Sequence, residues 1–379
     1  MNANDALYHL EPPVEEEYIG EWDPDQASDP APAGPRQPHV AQPGEVPGFQ
    51  GCRASTLAGL VEPMAERLEI AARYPGAGIE TTGLGPLDEV VRVTPGDVVV
   101  IGGREGAGKS ALALQVARWM AGRGPVLYVL TEMTLESVAE RLVAQAAHID
   151  LWKLQRSPTV EQRRQAREAM VWLAEHADLT IVEPTGEPWT VLRKRINAWA
   201  AAHRAEGRHP RAVFIDNLWG LSHGSRVDGD SAQVSRRLGG IVSELTHLAK
   251  PGEVDAPVFL VHHLNRGAAP GAPGGRPETA NLGGSDHIGY WASSVWLLAK
   301  NRDATEATHT LTVSKNRTGR NDVDIPVEFH GSQMRFVAAG PGEVTPRPFE
   351  VPEAPDAAAE NAVRTLRSKF AQAQERSSE

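Results

Sequence analysis

The sequence of 379 residues holds one cysteine, Cys52. A single thiol cannot close an internal disulfide or build a multi-cysteine zinc site. Thiol poverty of this kind fits a reducing, cytoplasmic setting. Also missing is any apolar run near the ~20 residues that a bilayer span requires. The opening stretch, MNANDALYHLEPPVEEEYIGEWD, has neither a basic start nor an apolar centre of signal-peptide type. Positive charge is short as well. The formal net charge of −11 argues against a protein that coats nucleic acid indiscriminately. The deficit is concentrated, with ten acids and one base in residues 1–50. The centre of the chain is balanced, so a local basic surface there stays open.

What is present suffices for a sizeable core, since 41% of the residues are hydrophobic. Residues 1–52 are acidic and rich in Pro and Gly, and are expected to be disordered. Residues 53–78 read as a linker with a helix in VEPMAERLEIAARY. Pro63 suits its first turn, and Val61, Met64, Leu68 and Ala71 share a stripe. That stripe packs either on its own domain or on a neighbouring subunit, and spacing alone does not separate the two. Residues 79–340 form the body, and 341–379 a mostly disordered polar tail with helical character.

Within the body, apolar runs alternate with helical patterns. Strands are expected at 97–103, 125–132, 179–184, 212–217, 257–263, 293–300, 309–316 and about 325–337. Helices are expected at 109–121, 135–147, 160–176, 189–205 and 231–249. The early runs are continuous in Val, Ile and Leu, as strands covered on both faces are. Strand–helix alternation implies an α/β fold with a mostly parallel central sheet. The last strands, joined by a short polar turn, suit an antiparallel extension.

Directly after the first run, Gly103-Arg104-Glu105-Gly106-Ala107-Gly108-Lys109-Ser110 matches G-x-x-x-x-G-K-[ST], between the required strand and helix. Glycines let the backbone wrap a phosphate, and the following helix turns its positive end to the same anion. Lys109 would meet the β- and γ-phosphates of ATP, and the Ser110 hydroxyl would bind Mg²⁺. Asp216 ends the run AVFID and suits a second magnesium-side carboxylate; its alternative is a cap on the next turn. Glu132 ends LYVLTE on the same sheet edge and suits a general base. Its alternative is a cap for the helix of TLESVAERL, where Thr134 and Ser137 also look like caps.

Taken together, TTGLGPLDEVVRVTPGDVVVIGGREGAGKSALALQVA, YVLTEMTLESVAERL, VFIDNLWGL, VHHLNRG and SKNRTGR resemble the ATPase domain of DnaB-type replicative helicases. The P-loop is generic; TEM, LNR and KNR followed by a glycine are more specific. The resemblance covers about residues 55–338. It implies a RecA-like P-loop motor that hydrolyses ATP with Mg²⁺, assembles as a ring, expected to be a hexamer, and moves on single-stranded DNA. It gives Glu132 the role of activating water. His263 stands where a polar sensor, usually glutamine, reads the γ-phosphate; otherwise it is an ordinary buried or surface histidine. Lys315 and Arg317 match a basic pair that reaches the next subunit's ATP; otherwise they decorate a solvated hairpin end. A guanidinium so placed neutralises charge growing on the transferred phosphoryl group.

The resemblance also implies that the long Gly/Pro-rich segment 266–287 lines the DNA channel. Arg266, Arg276 and backbone amides around Asn281, Gly283, Gly284 and Ser285 would hold phosphates. A second candidate is 222–237, with Arg226, Arg236 and Arg237. Departures are the histidine at the sensor, glycines at 283 and 284 where the family carries an arginine and a glutamate, and an acidic tail in place of a globular N-terminal domain. These suit a short phage or mobile-element relative, whose tails would contact a primase or loader. Two rival functions stay open. One is a RecA-like recombinase or helicase-loader ATPase, and the other a nucleotide-gated DNA-binding protein with little turnover.

Overall fold

In the computed structural model, the described residues are 57–222, 231–264, 278–282, 285–301, 308–339 and 356–375. The chain begins with helices α1 (Leu57–Arg73) and α2 (Gly85–Asp88), then β1 (Val98–Gly103), α3 (Lys109–Ala121), β2 (Val126–Leu130) and α4 (Leu135–Ala147). Next come α5 (Leu151–Arg156), α6 (Val160–His176), β3 (Leu179–Val182), α7 (Trp189–Ala205), β4 (Ala212–Asp216) and α8 (Leu218–Ser222). They are followed by α9 (Ser231–Leu248), β5 (Val258–His263), α10 (Ser285–Trp291), β6 (Ser294–Lys300) and β7 (Thr308–Asn316). β8 (Val323–His330), β9 (Arg335–Ala338) and α11 (Ala357–Glu375) complete the chain. Residues 63–372 form one unit, which holds all the sites described below.

All nine strands join one sheet in the order β3-β2-β4-β5-β1-β6-β7-β8-β9. The first six in that order run parallel, with β1 between β5 and β6. The last three turn antiparallel, as the short polar turns predict. The final strand expected at about 325–337 is in fact two. A 3-10 turn, Gly331–Gln333, and Met334 at φ 54° reverse the chain between β8 and β9.

The sheet buries both faces because successive side chains alternate. Val99 and Ile101 face the α3 side, and Val98 and Val100 face α7 and α9. On the α3 side, Tyr128, Phe214 and Phe259 stack across β2, β4 and β5, with centroids 5.6 and 4.4 Å apart. This stack sets the spacing of three strands whose ends carry the candidate site.

The stripe on α1, whose packing the sequence left open, is exposed: Val61, Met64 and Leu68 are 61%, 46% and 64% exposed. The polar tail contains α11, which buries Ala359 and Leu366. Glu360 of α11 pairs with Arg211, and Lys369 Nζ lies 2.7 Å from Glu66 Oε1.

At the end of α4, His148 takes the left-handed conformation, and its N–H donates to the Ala144 carbonyl. Burial, then Arg335, Arg118 and His330, hold its pKa at about 4. The unfolded chain binds a proton at this histidine below about pH 6.5, while the folded chain refuses it until about pH 4. Stability is therefore lost as pH falls through that window, by up to about 3 kcal/mol. Replacing His148 by Asn, which tolerates the same backbone, is expected to flatten urea-midpoint stability across this window relative to the parent. In the same assay Phe214→Ala is expected to cost ~3–5 kcal/mol through a cavity in the aromatic stack. An unchanged midpoint would mean the stack is not a packing element.

Candidate nucleotide site

The carboxyl ends of β2, β4, β5 and β1 are consecutive along one edge of the sheet. They carry in turn Glu132, Asp216, His263 and Gly103. This is the edge where open α/β sheets hold ligands. The loop after β1 leads straight into α3, whose first residue is Lys109. Amides and the positive end of the helix dipole face the loop. Gly108, just before the helix, has φ 91°, and a Cβ there would lie 2.8 Å from Phe336 Cζ. Conformation and space both demand glycine.

Lys109 is 5% exposed, and its Nζ donates to the Arg104 carbonyl at 2.9 Å. Burial lowers its pKa, and Asp216, Glu132 and Glu105 oppose that shift. An ammonium held this way can transfer to a stronger acceptor such as a phosphate oxygen. Beside it, the Ser110 hydroxyl donates to Asp216 Oδ1 at 3.2 Å, and the Tyr128 hydroxyl donates to Oδ2 at 2.9 Å. Asp216 is 2% exposed; burial raises its pKa, and the Tyr128 and Ser110 hydrogen bonds counter the rise. The paired oxygens of Ser110 and Asp216 are hard donors suited to Mg²⁺. No cluster of three metal-ligating side chains occurs among the described residues. A metal here would complete its shell with phosphate and water oxygens, as Mg²⁺ does at such sites.

Glu132 is exposed, two residues beyond the end of β2. It is not the cap of α4. Thr134 accepts from Ser137 N–H, and Glu183 accepts from Leu135 N–H at 3.2 Å. Its carboxylate lies 3.8 Å from His263 Nε2. Burial, then the Lys109 charge, lowers the pKa of His263, while Glu132 and Asp216 act against them. The imidazole is thus neutral near pH 7, and Asn217 Nδ2 lies 3.0 Å from its Nε2.

Lys315 and Arg317 lie elsewhere. β7 runs antiparallel to β6, which places Lys315 level with Val295 and Asn316 level with Ser294. Val295 in turn is level with Val100 of β1, three residues before Gly103. Lys315 is therefore about 10 Å behind the loop along the strand direction, and Arg317 lies further back. Lys315 Nζ donates to the Gly289 carbonyl at 2.7 Å, and Arg317 Nη2 to the Tyr290 carbonyl at 2.8 Å. Both cations cap the carboxyl end of α10, where positive charge is favoured. Burial, then Arg317, lowers the pKa of Lys315.

The expected nucleic-acid residues fall in several different elements. Arg226, Arg266, Arg276, Gly283 and Gly284 lie outside the described residues. Arg236 and Arg237 fall in α9, and Ser285 opens α10, so these positions are helical and not loop. Asn281 ends a 3-10 turn. Its N–H donates to the Glu278 carbonyl at 2.9 Å, and its Oδ1 accepts from Glu278 N–H at 2.7 Å. The amide expected to face a phosphate at Asn281 is already engaged.

Sequence reading missed Tyr128, Asn217 and Phe336. Tyr128 left a usable signal: a tyrosine inside a buried strand must find a partner for its hydroxyl. Tyr128→Phe keeps the aromatic stack but leaves one Asp216 oxygen without its donor. We expect it to raise the Mg²⁺ concentration for half-maximal ATP hydrolysis about tenfold, an effect typical of groups behind a metal ligand. A magnesium titration of turnover checks this; an unchanged curve would remove Tyr128 from the site.

The chain is similar to several known proteins. The DnaB-like helicase C-terminal domain family matches residues 78–338. The chain is 28% identical over 277 residues to the replicative DNA helicase DnaB of Leifsonia xyli subsp. xyli, covering 69% of this chain and 56% of that protein. It is 29% identical over 217 residues to the DNA repair protein RadA of Synechocystis, covering 53% of this chain and 39% of that protein. The chain thus spans about half the length, or less, of these curated relatives. Among solved structures, an ATPase domain superposes with a TM-score of 0.62 at 20% identity, covering 74% of this chain and 99% of that one. A DnaB-like replicative helicase, described with its primase interactions, also gives 0.62, at 19% identity over 76% of this chain and 68% of that one. These likenesses give the fold as RecA-like. With the family matched across the whole nucleotide edge, the chain belongs to the DnaB-like helicase C-terminal domain family.

Proposed function

We propose that the protein is an ATP-driven DNA helicase or translocase that works as a ring, expected to be a hexamer, on single-stranded DNA. One observation carries this reading: Lys315 and Arg317 sit behind the nucleotide loop of their own chain. A copy that uses them on phosphate must offer them to a neighbour. The exposed stripe of α1 supports the same assembly, since Val61, Met64 and Leu68 can cover their apolar surface on an adjoining subunit.

In this reading the loop 103–110 cradles the β- and γ-phosphates of ATP, and Lys109 leaves the Arg104 carbonyl to neutralise them. Ser110 and Asp216 would hold Mg²⁺, which would supply positive charge against the phosphates. Glu132, exposed and near Lys109, accepts a proton from the attacking water as the water oxygen bonds to the γ-phosphorus and the bond from that phosphorus to the β–γ bridging oxygen breaks, leaving ADP and inorganic phosphate. His263 reports the state of the γ-phosphate toward segment 266–287. Arg236, Arg266, Arg276 and Arg226 supply counter-charge for the DNA phosphates, and the tails recruit a primase or loader. Similarity to a RadA repair protein favours a second reading, a recombinase-like ATPase that forms filaments on DNA.

DNA-stimulated ATP hydrolysis tests the first reading. Lys315→Ala and Arg317→Ala are each expected to lower turnover at least about a hundredfold, below the ~10³–10⁵ that such fingers give elsewhere. Turnover equal to the parent in both variants would refute the shared site. Electron microscopy separates rings from filaments.

A further inference from the structure

Two consecutive buried polar residues close β4, Asp216 at its last position and Asn217 directly after it. Asp216 belongs to the nucleotide site, but Asn217 is 1% exposed and has no role in the chemistry above. Its strand lies between β2 and β5, so Asn217 sits between the strand ends that bear Glu132 and His263. Thr131, the neighbour of Glu132, grips its backbone twice. Asn217 N–H donates to Thr131 Oγ1 at 2.6 Å, and the Thr131 hydroxyl donates to the Asn217 carbonyl at 2.8 Å. The turn behind is tight, because a Cβ on Gly220 would stand 2.1 Å from Thr131 Cβ.

Gly220 also orients the side-chain amide, its N–H donating to Asn217 Oδ1 at 3.4 Å. Turned over, the amide would set its own N–H against that of Gly220. Nδ2 therefore faces His263 Nε2 at 3.0 Å. A ring nitrogen that receives an N–H must be the unprotonated one.

We propose that Asn217 is a positioning residue that fixes His263 as its Nδ1–H tautomer. The proposal rests on His263 serving as the phosphate sensor. A neutral imidazole reads a phosphate by donating its one N–H, so the tautomer decides which edge of the ring can do so. Two groups compete for Nε2. Glu132 Oε1, 3.8 Å away, would draw the proton to Nε2 and tie sensor to base. The Asn217 amide holds Nε2 as an acceptor and keeps them apart. Through Thr131 the same residue links the sensor's setting to the strand end that carries Glu132.

The test uses the full-length, nucleotide-free chain labelled with ¹⁵N-histidine, at a pH where imidazole is neutral. His263 is assigned by comparison with His263→Gln in long-range ¹H–¹⁵N spectra. The parent is expected to show the proton on Nδ1. Asn217→Asp, nearly isosteric, presents an acceptor and is expected to move it to Nε2. Asn217→Ala frees Nε2 for Glu132 and is expected to do the same. ATP turnover in Asn217→Asp is expected to show kcat lowered about tenfold with KM within twofold, the size typical of a group acting through another. A parent proton on Nε2, or a tautomer unmoved by both substitutions, overturns the proposal. So does a tautomer that moves with kcat unaltered. If His263→Ala leaves turnover intact, the sensor reading itself fails, whatever the spectra of Asn217 variants show.

Discussion

The reversal of chain direction between β6 and β7 constrains everything this protein can do with a phosphate. Six parallel strands deliver a nucleotide loop, a buried carboxylate, an exposed carboxylate and a histidine to one edge. The antiparallel hairpin then carries Lys315 and Arg317 back toward the other edge. In the proposed reading, catalytic charge is thereby split between two places that one chain cannot bring together. Hydrogen bonds to the end of α10 hold both cations in place, so they are presented as a fixed pair and not as free side chains.

Most of the sheet, and the nucleotide loop, were legible in the sequence. Continuous Val/Ile/Leu runs marked the parallel strands because both faces are buried, and G-x-x-x-x-G-K-S marked the turn that only glycines permit. What stayed hidden has physical reasons. The break between β8 and β9 rests on Met334 in the left-handed region, which no residue preference announces. The helical character of the tail was legible, but the contacts that dock α11, Glu360 with Arg211 and Lys369 with Glu66, were not, because they are remote in sequence. Neither pattern nor propensity encodes such pairs.

The candidate site shows the same division. Lys109, Ser110, Asp216 and Glu132 could be nominated from the sequence because each follows a strand or a motif with fixed spacing. Tyr128 and Asn217 were not, since their importance comes from which strands lie side by side. The order β2-β4-β5 turns a buried tyrosine into a donor for Asp216 and an asparagine into a neighbour of His263. Helix capping by Glu132, which spacing left open, fell away once Thr134 and Glu183 were seen to occupy that role. The positions expected to meet nucleic acid carry the weakest sequence signal, because a loop that holds a backbone needs glycines and amides more than any distinctive side chain.

Mixing two inactive chains tests the division of charge most directly. One carries Lys109→Ala and keeps its Lys315 and Arg317; the other carries Arg317→Ala and keeps its nucleotide loop. If the site is completed by a neighbour, each variant alone turns over ATP poorly, and the mixture regains activity as mixed assemblies form. Activity in the mixture equal to the simple average of the two separate preparations, with mixed assemblies present, would contradict a site shared between copies.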